Sequence, residues 1–473
     1  MIVGILGKVM LVMSAFLCLP LIVGICYGES QYLAFLIPIG VLIALGLMCF
    51  FIGKTEDHNI YAKEGFIIVA ISWIVMSAIG SLPFVISGEI PNFWDAFFET
   101  VSGFTTTGAT ILYDVEKLSR GMQFWRIFTH WLGGMGVLVF LLAIIPRSQG
   151  LMHIFRAEST GPSSSKIVSK MSYTARILYA IYVGLTVIEA LLIKLGGAGT
   201  YDSFLTAFST AGTGGFSMYN DSIAHFNSTY IEMVVATFMF LFGVNFNVFY
   251  LVLIGQFKKA LKSEEVRVYF IIVVTATLII ALNILSISVN FGTALRYSFF
   301  QVTSISSTTG FVSLDFKDWP ALSKCVLLFL TVVGACGGST GGGIKIARLT
   351  ILVKSGARDV KRLLHPRIES TIKFESEPVE KQIERNVRTY SIIWVMLVVA
   401  ATVLLCIWYD DLYTNFLSAL SCIGNVGPLV DKPMFCFAEY GAVSKVLLSV
   451  LMLAGRLEIF PIIILLTPYA WKK

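Results

Sequence analysis

Long uncharged runs constrain this chain more than any other feature. A helix that crosses a membrane needs about 20 mostly apolar residues, and the sequence contains eight uncharged runs of that kind. Two further runs are apolar apart from Glu189 in one and Arg456 and Glu458 in the other. The ten predicted spans lie near residues 9–28, 31–53, 66–88, 127–146, 177–197, 233–257, 268–290, 325–344, 390–409 and 443–468.

The composition excludes a water-soluble protein. Of the 473 residues, 56% are hydrophobic and 14% are charged, whereas soluble domains are typically about 25% charged. This balance excludes a soluble enzyme, a disordered chain and a secreted disulfide scaffold. The eight cysteines include no C-x-x-C pair, so they indicate neither a zinc site nor a disulfide framework. We interpret the chain as a polytopic membrane protein, with the first run as a retained helix.

The charges of the loops predict the orientation. Lys and Arg favour the cytoplasmic side, and 25 of the 35 fall in four loops and the termini. The loops are 54–63, 147–176, 258–267 and 345–388. The last has eleven basic residues. We therefore expect both termini in the cytoplasm.

Four segments between the spans are too short to cross a membrane and too apolar for ordinary loops. They lie near 92–108, 200–214, 294–310 and 412–427. Aligned on a final glycine, they read ETVSGFTTTGAT (99–110), LTAFSTAGTGGF (205–216), QVTSISSTTGFV (301–312) and LSALSCIGNVGP (417–428). The aligned glycines are Gly108, Gly214, Gly310 and Gly427. Four such segments at a similar spacing indicate an internal repeat.

The repeat predicts an all-α polytopic fold with four copies of helix, pore loop and helix, and an extra helix pair in front. The expected units are 1–60, 61–170, 171–265, 266–385 and 386–473. Non-helical backbone at membrane depth is tolerated only where it is buried in protein or lines a water-filled path. A ring of carbonyl oxygens formed there can replace the hydration shell of a cation. The alternative is four extracellular loops with turn glycines.

Several motifs resemble the Trk/Ktr/HKT superfamily of potassium uptake proteins, and within it the TrkH-like subunits. The resemblance covers essentially the whole chain, and the extra helix pair favours TrkH-like over the shorter Ktr-type subunits. The motifs are FFETVSGFTTTGAT (97–110), WLGGMGVLVFLLAIIP (131–146), FRAESTGP (155–162), GACGGSTGGGIK (334–345), VKRLLHPR (360–367) and GRLEIF (455–460).

The resemblance implies a pseudo-fourfold pore in each subunit of a homodimer, with a selectivity filter at the four segments. The candidate ion-binding residues are Thr106, Thr107, Gly108, Gly212, Thr213, Gly214, Thr308, Thr309, Gly310, Asn425, Val426 and Gly427. The fourth segment departs from the others, with Asn425 and Val426 where the first and third segments have two threonines. Potassium is the expected substrate, and no cofactor is expected in this chain.

Six glycines fall within ten residues of one predicted span. They are Gly334, Gly337, Gly338, Gly341, Gly342 and Gly343. Each costs a helix interior about 1 kcal/mol relative to alanine, so this helix should break. A phosphate loop does not fit, because GGSTGGGIK departs from G-x-x-x-x-G-K-[ST]. Close helix packing is the alternative, whereas the resemblance supports a flexible intramembrane loop that gates the pore.

Arg456 lies about twelve residues before the predicted end of its helix, roughly 18 Å at 1.5 Å per residue. A charge at that depth is costly unless it is paired or hydrated. One interpretation is a buried pair with Glu458 or Glu189. The favoured interpretation places Arg456 at the pore, where it repels cations and holds the glycine-rich loop.

Two polar residues near the first segment have open roles. Glu99 either accepts hydrogen bonds from backbone N–H groups of the filter or is a solvated carboxylate at the pore entrance. His130 is expected near the outer membrane interface, because no Cys, Asp or Glu stands around it at metal-ligand spacing.

Three functions remain open. The first is passive, gated potassium uptake driven by the membrane potential, and the second is symport coupled to sodium or protons. Symport usually needs intramembrane carboxylates along the path, and Glu189 is the only candidate outside the helix of Arg456. The third is a polytopic membrane enzyme, which no catalytic constellation supports. We predict passive uptake, with no enzymatic activity.

A gated pore also needs a control input. The resemblance implies a cytosolic nucleotide-binding regulatory subunit, a TrkA-like ring, with the chain in a bacterial or archaeal cytoplasmic membrane. We expect this partner on the basic loop 345–388, at or near Arg358, Lys361, Arg362 and Arg367; alternatively, those charges only set the topology. Membrane lipid is the other expected partner, and nucleic acid is not expected.

Overall fold

The protein is described by a computed structural model over residues 2–53, 62–136, 171–365, 371–432 and 434–468. Within these ranges it is built of helices, with one short antiparallel hairpin between β1 (Lys373–Phe374) and β2 (Glu377–Pro378). Single 3-10 turns lie at Val115–Lys117, Ser222–Phe226 and Phe437–Glu439.

The α-helices follow the apolar runs of the sequence. In chain order they are α1 (Ile2–Cys26), α2 (Leu33–Ile52), α3 (Ala62–Gly80), α4 (Leu82–Ser87), α5 (Phe93–Phe104), α6 (Arg120–Met135), α7 (Met171–Leu195), α8 (Thr200–Gly212), α9 (Thr229–Phe242), α10 (Phe246–Leu253), α11 (Phe257–Lys262), α12 (Glu264–Asn283), α13 (Phe291–Ser306), α14 (Ala321–Val333), α15 (Ile346–Leu364), α16 (Lys381–Leu405), α17 (Leu412–Gly424), α18 (Ala442–Arg456) and α19 (Phe460–Leu466).

Among the described residues, six helices are long and apolar enough to cross a membrane. The number becomes seven if α9 and α10 form one bent span. The outer faces of these helices carry large apolar side chains that are more than half exposed, such as Ile271, Leu282 and Val403. Apolar surface of this extent indicates contact with lipid rather than water.

Three predicted spans are not continuous helices, and for two of them this corrects the sequence prediction. The run at 233–257 bends by 95° between α9 and α10, where the side chain of Asn245 caps α10 by accepting a hydrogen bond from Asn247 N. The run at 443–468 breaks between α18 and α19, where Glu458 and Ile459 have positive φ. Hydropathy alone does not reveal such caps and turns.

The third interruption confirms a prediction. The run at 325–344 is helical only as far as Val333, and Gly334 follows with a φ of 69°. Residues 334–345 form a loop, and α15 begins after it. The cluster of glycines therefore breaks this helix, as their low helix propensity predicts.

Four short helices, α5, α8, α13 and α17, stand in the four aligned segments. Three begin at side-chain caps, in which Asn92, Asn290 and Asp411 accept hydrogen bonds from backbone N–H groups of the first turn. Such caps satisfy donors that have no partner inside the helix. Each helix is followed by non-helical backbone, and these four turns form the candidate site.

Candidate functional site

The four turns share one backbone hydrogen bond. In each, a serine carbonyl inside the short helix accepts from the N–H group five residues later. The bonds are Thr107 N to Ser102 O (2.9 Å), Gly214 N to Ser209 O (3.0 Å), Thr309 N to Ser304 O (2.9 Å) and Val426 N to Ser421 O (3.0 Å). This common bond aligns the four turns residue by residue.

The backbone angles repeat in the same register. The residue before the bonded N–H group is left-handed, with φ of 55° at Thr106, 55° at Thr213, 61° at Thr308 and 53° at Asn425. The residue after it is a glycine with positive φ in every turn. These glycines are Gly108, Gly215, Gly310 and Gly427, with φ of 82°, 79°, 79° and 94°.

The second turn corrects the sequence alignment by one residue. Gly215, and not Gly214, matches the other three glycines, whereas Gly212 is the last residue of α8. The matching set in this turn is therefore Thr213, Gly214 and Gly215. Several glycines in succession make the alignment ambiguous from sequence, and only the requirement for positive φ distinguishes them.

The four glycines lie in a closed ring. A side chain on any of them would collide with a carbonyl oxygen of the next turn. The colliding pairs are Gly108 with Gly214, Gly215 with Thr309, Gly310 with Val426, and Gly427 with Thr107. Each turn therefore packs against two others, and the fourth returns to the first.

The fourth turn has its own contact with the first. Asn425 Nδ2 donates to Thr107 Oγ1 and to Met452 O, both at 3.0 Å. Asparagine tolerates the left-handed conformation better than most residues, so it replaces the threonine of the other turns without backbone strain. Its amide supplies the link between the two turns.

A cavity of about 480 Å³ opens beside the ring, and all four glycines line it. Phe216 and Arg126 contribute to its wall. Among the described residues, no group of three His, Cys, Asp or Glu side chains is placed to hold a metal ion. A backbone carbonyl oxygen of the next turn lies against each of the four glycines.

The glycine-rich loop, residues 334–345, touches the third and fourth turns. Gly342 N donates to Thr308 Oγ1 (2.7 Å), and Gly343 N donates to Gly424 O (3.0 Å). A side chain at Gly341 or Gly342 would collide with backbone of these turns. Glycine is therefore required where the loop passes the ring.

The same loop is tied to the break between α9 and α10. Cys336 N donates to Gly243 O (3.0 Å), and Phe246 N donates to Gly338 O (3.1 Å). The carboxylate of Glu265, at the start of α12, accepts from Gly337 N (2.6 Å). The bend between α9 and α10 thus contacts the glycine-rich loop and helps to hold it in place.

Arg456 reaches the loop from α18. Its Nη1 donates to Thr340 O (2.6 Å), and its Nη2 donates to Gly133 O (2.7 Å) and Gly134 O (2.6 Å). Glu458 accepts a hydrogen bond from Arg348. Of the two interpretations of Arg456, these contacts favour the one in which it holds the loop.

Some contacts were missed from the sequence. Arg126 stands just before an uncharged run, yet it is buried and its Nε lies 2.6 Å from Glu99 Oε1. Glu99 also accepts a hydrogen bond from Ile111 N (2.9 Å), three residues beyond Gly108. His130 is fully buried, and its Nδ1 lies 2.7 Å from Gly103 O, a contact that the sequence did not predict.

The described residues include 345–365 and 371–388 of the basic loop. Lys361 and Arg362 are exposed on α15, whereas Arg358 is paired with Glu384 (2.6 Å) and Asp359 (2.8 Å). The hydrogen bond from Arg358 lowers the pKa of Asp359. Arg367 lies outside the described residues.

The comparisons with known proteins agree on one family. The family model TrkH, described as a cation transport protein, matches residues 33–471. The chain is 34% identical to the Trk system potassium uptake protein TrkH of Vibrio parahaemolyticus, covering 100% of this chain and 99% of that protein. It is also 34% identical to the protein of that name in Escherichia coli, covering 99% and 98%.

A solved structure resembles the whole fold. The crystal structure of the potassium transporter TrkH from Vibrio parahaemolyticus matches with a TM-score of 0.91 at 32% identity, covering 100% of this chain and 99% of that one.

Proposed function

The chain belongs to the TrkH family of cation transport proteins, and from that premise we propose that it is a potassium uptake protein with a gated, carbonyl-lined pore. It is an integral membrane protein with several apolar helices, and its family transports ions rather than catalysing reactions. The relatives described above are named for potassium uptake. Uptake of potassium is therefore the function that we assign to this chain.

The observation that carries the proposal is the closed ring of four glycines. Each glycine lies against the carbonyl oxygen of the next turn, and the cycle returns to its start. This supports four helix, pore-loop and helix units in a pseudo-fourfold arrangement around one pore. The units are 61–170, 171–265, 266–385 and 386–473, and 1–60 forms an additional helix pair.

The ring supports selection by backbone carbonyls. Their oxygen atoms replace the water shell of a potassium ion that enters from the cavity. We assign this role to the residues of the corrected alignment, which are Thr106, Thr107, Gly108, Thr213, Gly214, Gly215, Thr308, Thr309, Gly310, Asn425, Val426 and Gly427. Close backbone packing around the ring keeps the oxygens at a fixed spacing.

The glycine-rich loop and Arg456 form the gate in this proposal. The loop touches two turns of the ring, and Arg456 ties it to α6 and α18. A fixed positive charge on the path repels potassium by roughly 1 kcal/mol at 4 Å in water, and by several times that in a partly dry pore. Displacement of the loop would remove both obstacles together.

Symport with sodium or protons is the alternative. It requires an ionisable group along the path, and Glu189 on α7 is fully buried. Glu189 is not among the residues that line the cavity beside the ring. Passive flow driven by the membrane potential therefore explains the geometry with fewer assumptions, and reversal potentials measured against pH and sodium separate the two.

The name Trk system indicates more than one component, and we propose a cytosolic nucleotide-binding partner and a homodimer. The loop that touches the ring continues directly into α15, which carries exposed Lys361 and Arg362. Val360, Leu363 and Leu364 are also exposed on this helix. A partner bound to α15, on the side where both termini are expected, would act on the gate through a single helix.

Growth and flux together test the proposed function. Cells without their own potassium uptake should grow at low potassium when they express this chain together with its partner. The purified protein in liposomes should carry potassium and rubidium faster than sodium. Liposomes that contain well-folded protein and show no potassium flux, with the partner present, would contradict the proposal.

A further inference from the structure

A buried ion pair between Glu99 and Arg126, called the brace below, supports the first of the four turns. Glu99 and Arg126 are 1% and 3% exposed, and Arg126 Nε lies 2.6 Å from Glu99 Oε1. Glu99 Oε1 also accepts from Thr110 Oγ1, and Oε2 accepts from Ile111 N, both at 2.9 Å. Glu99 belongs to α5, so one carboxylate fastens the chain that leaves Gly108 to the helix that precedes it.

Arg126 extends this brace to the second turn. Its Nη1 donates to Ser217 O (3.0 Å), and its guanidinium carbon lies 3.5 Å from the centre of the Phe216 ring. Both residues directly follow Gly215. The planar guanidinium, with several donors in fixed directions, joins two turns at once.

The brace is not repeated around the ring. In the register set by the shared hydrogen bond, the residues that correspond to Glu99 are Thr206, Gln301 and Ser418. Gln301 is fully buried, and in the described part of the chain its amide has no hydrogen-bond partner. The third and fourth turns are held by serine hydroxyls, from Ser304 to Phe311 O (2.6 Å) and from Ser421 to Gly427 O (2.9 Å).

The position of the brace relates it to the ions. Arg126 lines the cavity that the four glycines also line, and its charge is compensated by Glu99 at hydrogen-bond distance. Hydrogen bonds between charged groups are shorter and stronger than neutral ones. The pair therefore fixes the spacing of the first two turns more firmly than neutral contacts fix the others.

We propose that Glu99 and Arg126 are positioning residues for ion selectivity, which hold the carbonyls of the first two turns at the spacing that potassium requires. The inference rests on the proposed function and adds a determinant outside the ring itself. Its second consequence is electrostatic. Glu99 cancels a positive charge that would otherwise repel cations from the cavity.

The test compares two variants in liposomes under a potassium and sodium gradient. Arg126→Lys keeps the positive charge but replaces the planar guanidinium by an ammonium group. The ammonium group cannot hold both turns in the same geometry. We expect the permeability ratio of potassium to sodium to fall by roughly two- to tenfold. This is the factor by which the loss of one hydrogen bond changes an equilibrium constant. Glu99→Gln leaves Arg126 uncompensated, so the potassium flux should fall as well.

Lys445→Gln is the matched control. Lys445 is also buried and pairs with Asp95 on α5 (2.6 Å), so its loss disturbs the same helix at the end away from the ring. The control should keep the wild-type permeability ratio. An unchanged ratio in both test variants, or an equal fall in the control, would overturn the inference.

The wild type in the same experiment separates this inference from the proposed function. A folded wild type without potassium flux contradicts the proposed function itself. A wild type that prefers potassium, together with unaltered permeability ratios in Arg126→Lys and Glu99→Gln, contradicts only the role of the ion pair. Size-exclusion profiles and melting temperatures confirm that the variants compared are folded.

Discussion

The guanidinium of Arg456 donates a hydrogen bond to the carbonyl oxygen of Thr340 across 2.6 Å. This bond joins the last long helix of the chain to the loop that touches the ring, although 116 residues separate the two in sequence. The bond connects two features that the sequence had already indicated, the isolated arginine of a predicted span and the cluster of six glycines.

The first prediction concerns this bond. Arg456→Ala removes a positive charge from the proposed ion path and releases the glycine-rich loop. Potassium flux into liposomes should therefore rise by about fivefold or more, because each 1.4 kcal/mol of barrier changes a rate about tenfold. If Arg456 served only as half of a buried ion pair, its loss would cost about 3–5 kcal/mol of stability and flux would not rise. Lys445→Gln, on the same helix, is the control.

The second prediction concerns the loop itself. Deletion of residues 338–342 removes the backbone that touches Thr308 and Arg456, so the basal flux of the folded protein should rise. Flux is measured with the purified variant in liposomes, and folding by size-exclusion chromatography. A folded deletion variant with flux at or below that of the wild type would show that the loop is not the obstacle.

The third prediction concerns the carboxylate that holds the start of the loop. Glu265→Gln keeps the shape of the acceptor for Gly337 N but removes its charge, which weakens the bond by about 1 kcal/mol. The closed state should lose stability, and basal flux should rise about fivefold. Glu264→Gln is the control, because Glu264 pairs with Lys354 and not with the loop. Equal effects of both variants would contradict the assignment.

The fourth prediction concerns the partner. Replacement of Arg358, Lys361, Arg362 and Arg367 by Gln should abolish capture of a cytosolic nucleotide-binding protein from the native membrane. Because Arg358 pairs with Glu384, the double variant Lys361→Gln and Arg362→Gln isolates the exposed charges from local unfolding. Undiminished binding to a normally inserted quadruple variant, or no partner at all, would show that the basic loop only sets topology.

The fold could be predicted from sequence where hydropathy decides it. Runs of about 20 apolar residues gave the long helices, and the four short helices stand where the aligned segments begin. The broken helices could not be predicted, because they depend on single caps and turns. Asn245 caps α10, and the positive φ of Glu458 and Ile459 separates α18 from α19. Neither feature changes the hydropathy of the apolar run in which it lies.

The candidate site was predictable in its components and less so in its register. The internal repeat predicted one glycine in each of the four turns. The choice between Gly214 and Gly215 depends on backbone angles, which the sequence leaves ambiguous. Arg126 and Glu265 were missed because each stands at the border of an apolar run, where a solvated charge is the ordinary expectation. Their partners, Glu99 and Gly337, are 27 and 72 residues away.

The fifth prediction concerns the ring. Gly310→Ser places a side chain against Val426 O and Pro428 at a φ of 79°, which distorts the spacing of the carbonyls. The variant should therefore prefer potassium over sodium less strongly than the wild type. Gly88→Ser is the matched control, because Gly88 has a similar φ of 77° but no atom within 4 Å of an added side chain.

The permeability ratio of potassium to sodium in liposomes decides whether the four turns form one potassium-selective ring. We predict a wild-type protein that prefers potassium, a Gly310→Ser variant in which that preference is reduced, and a Gly88→Ser variant that matches the wild type. An equal permeability ratio in all three folded proteins would contradict the claim.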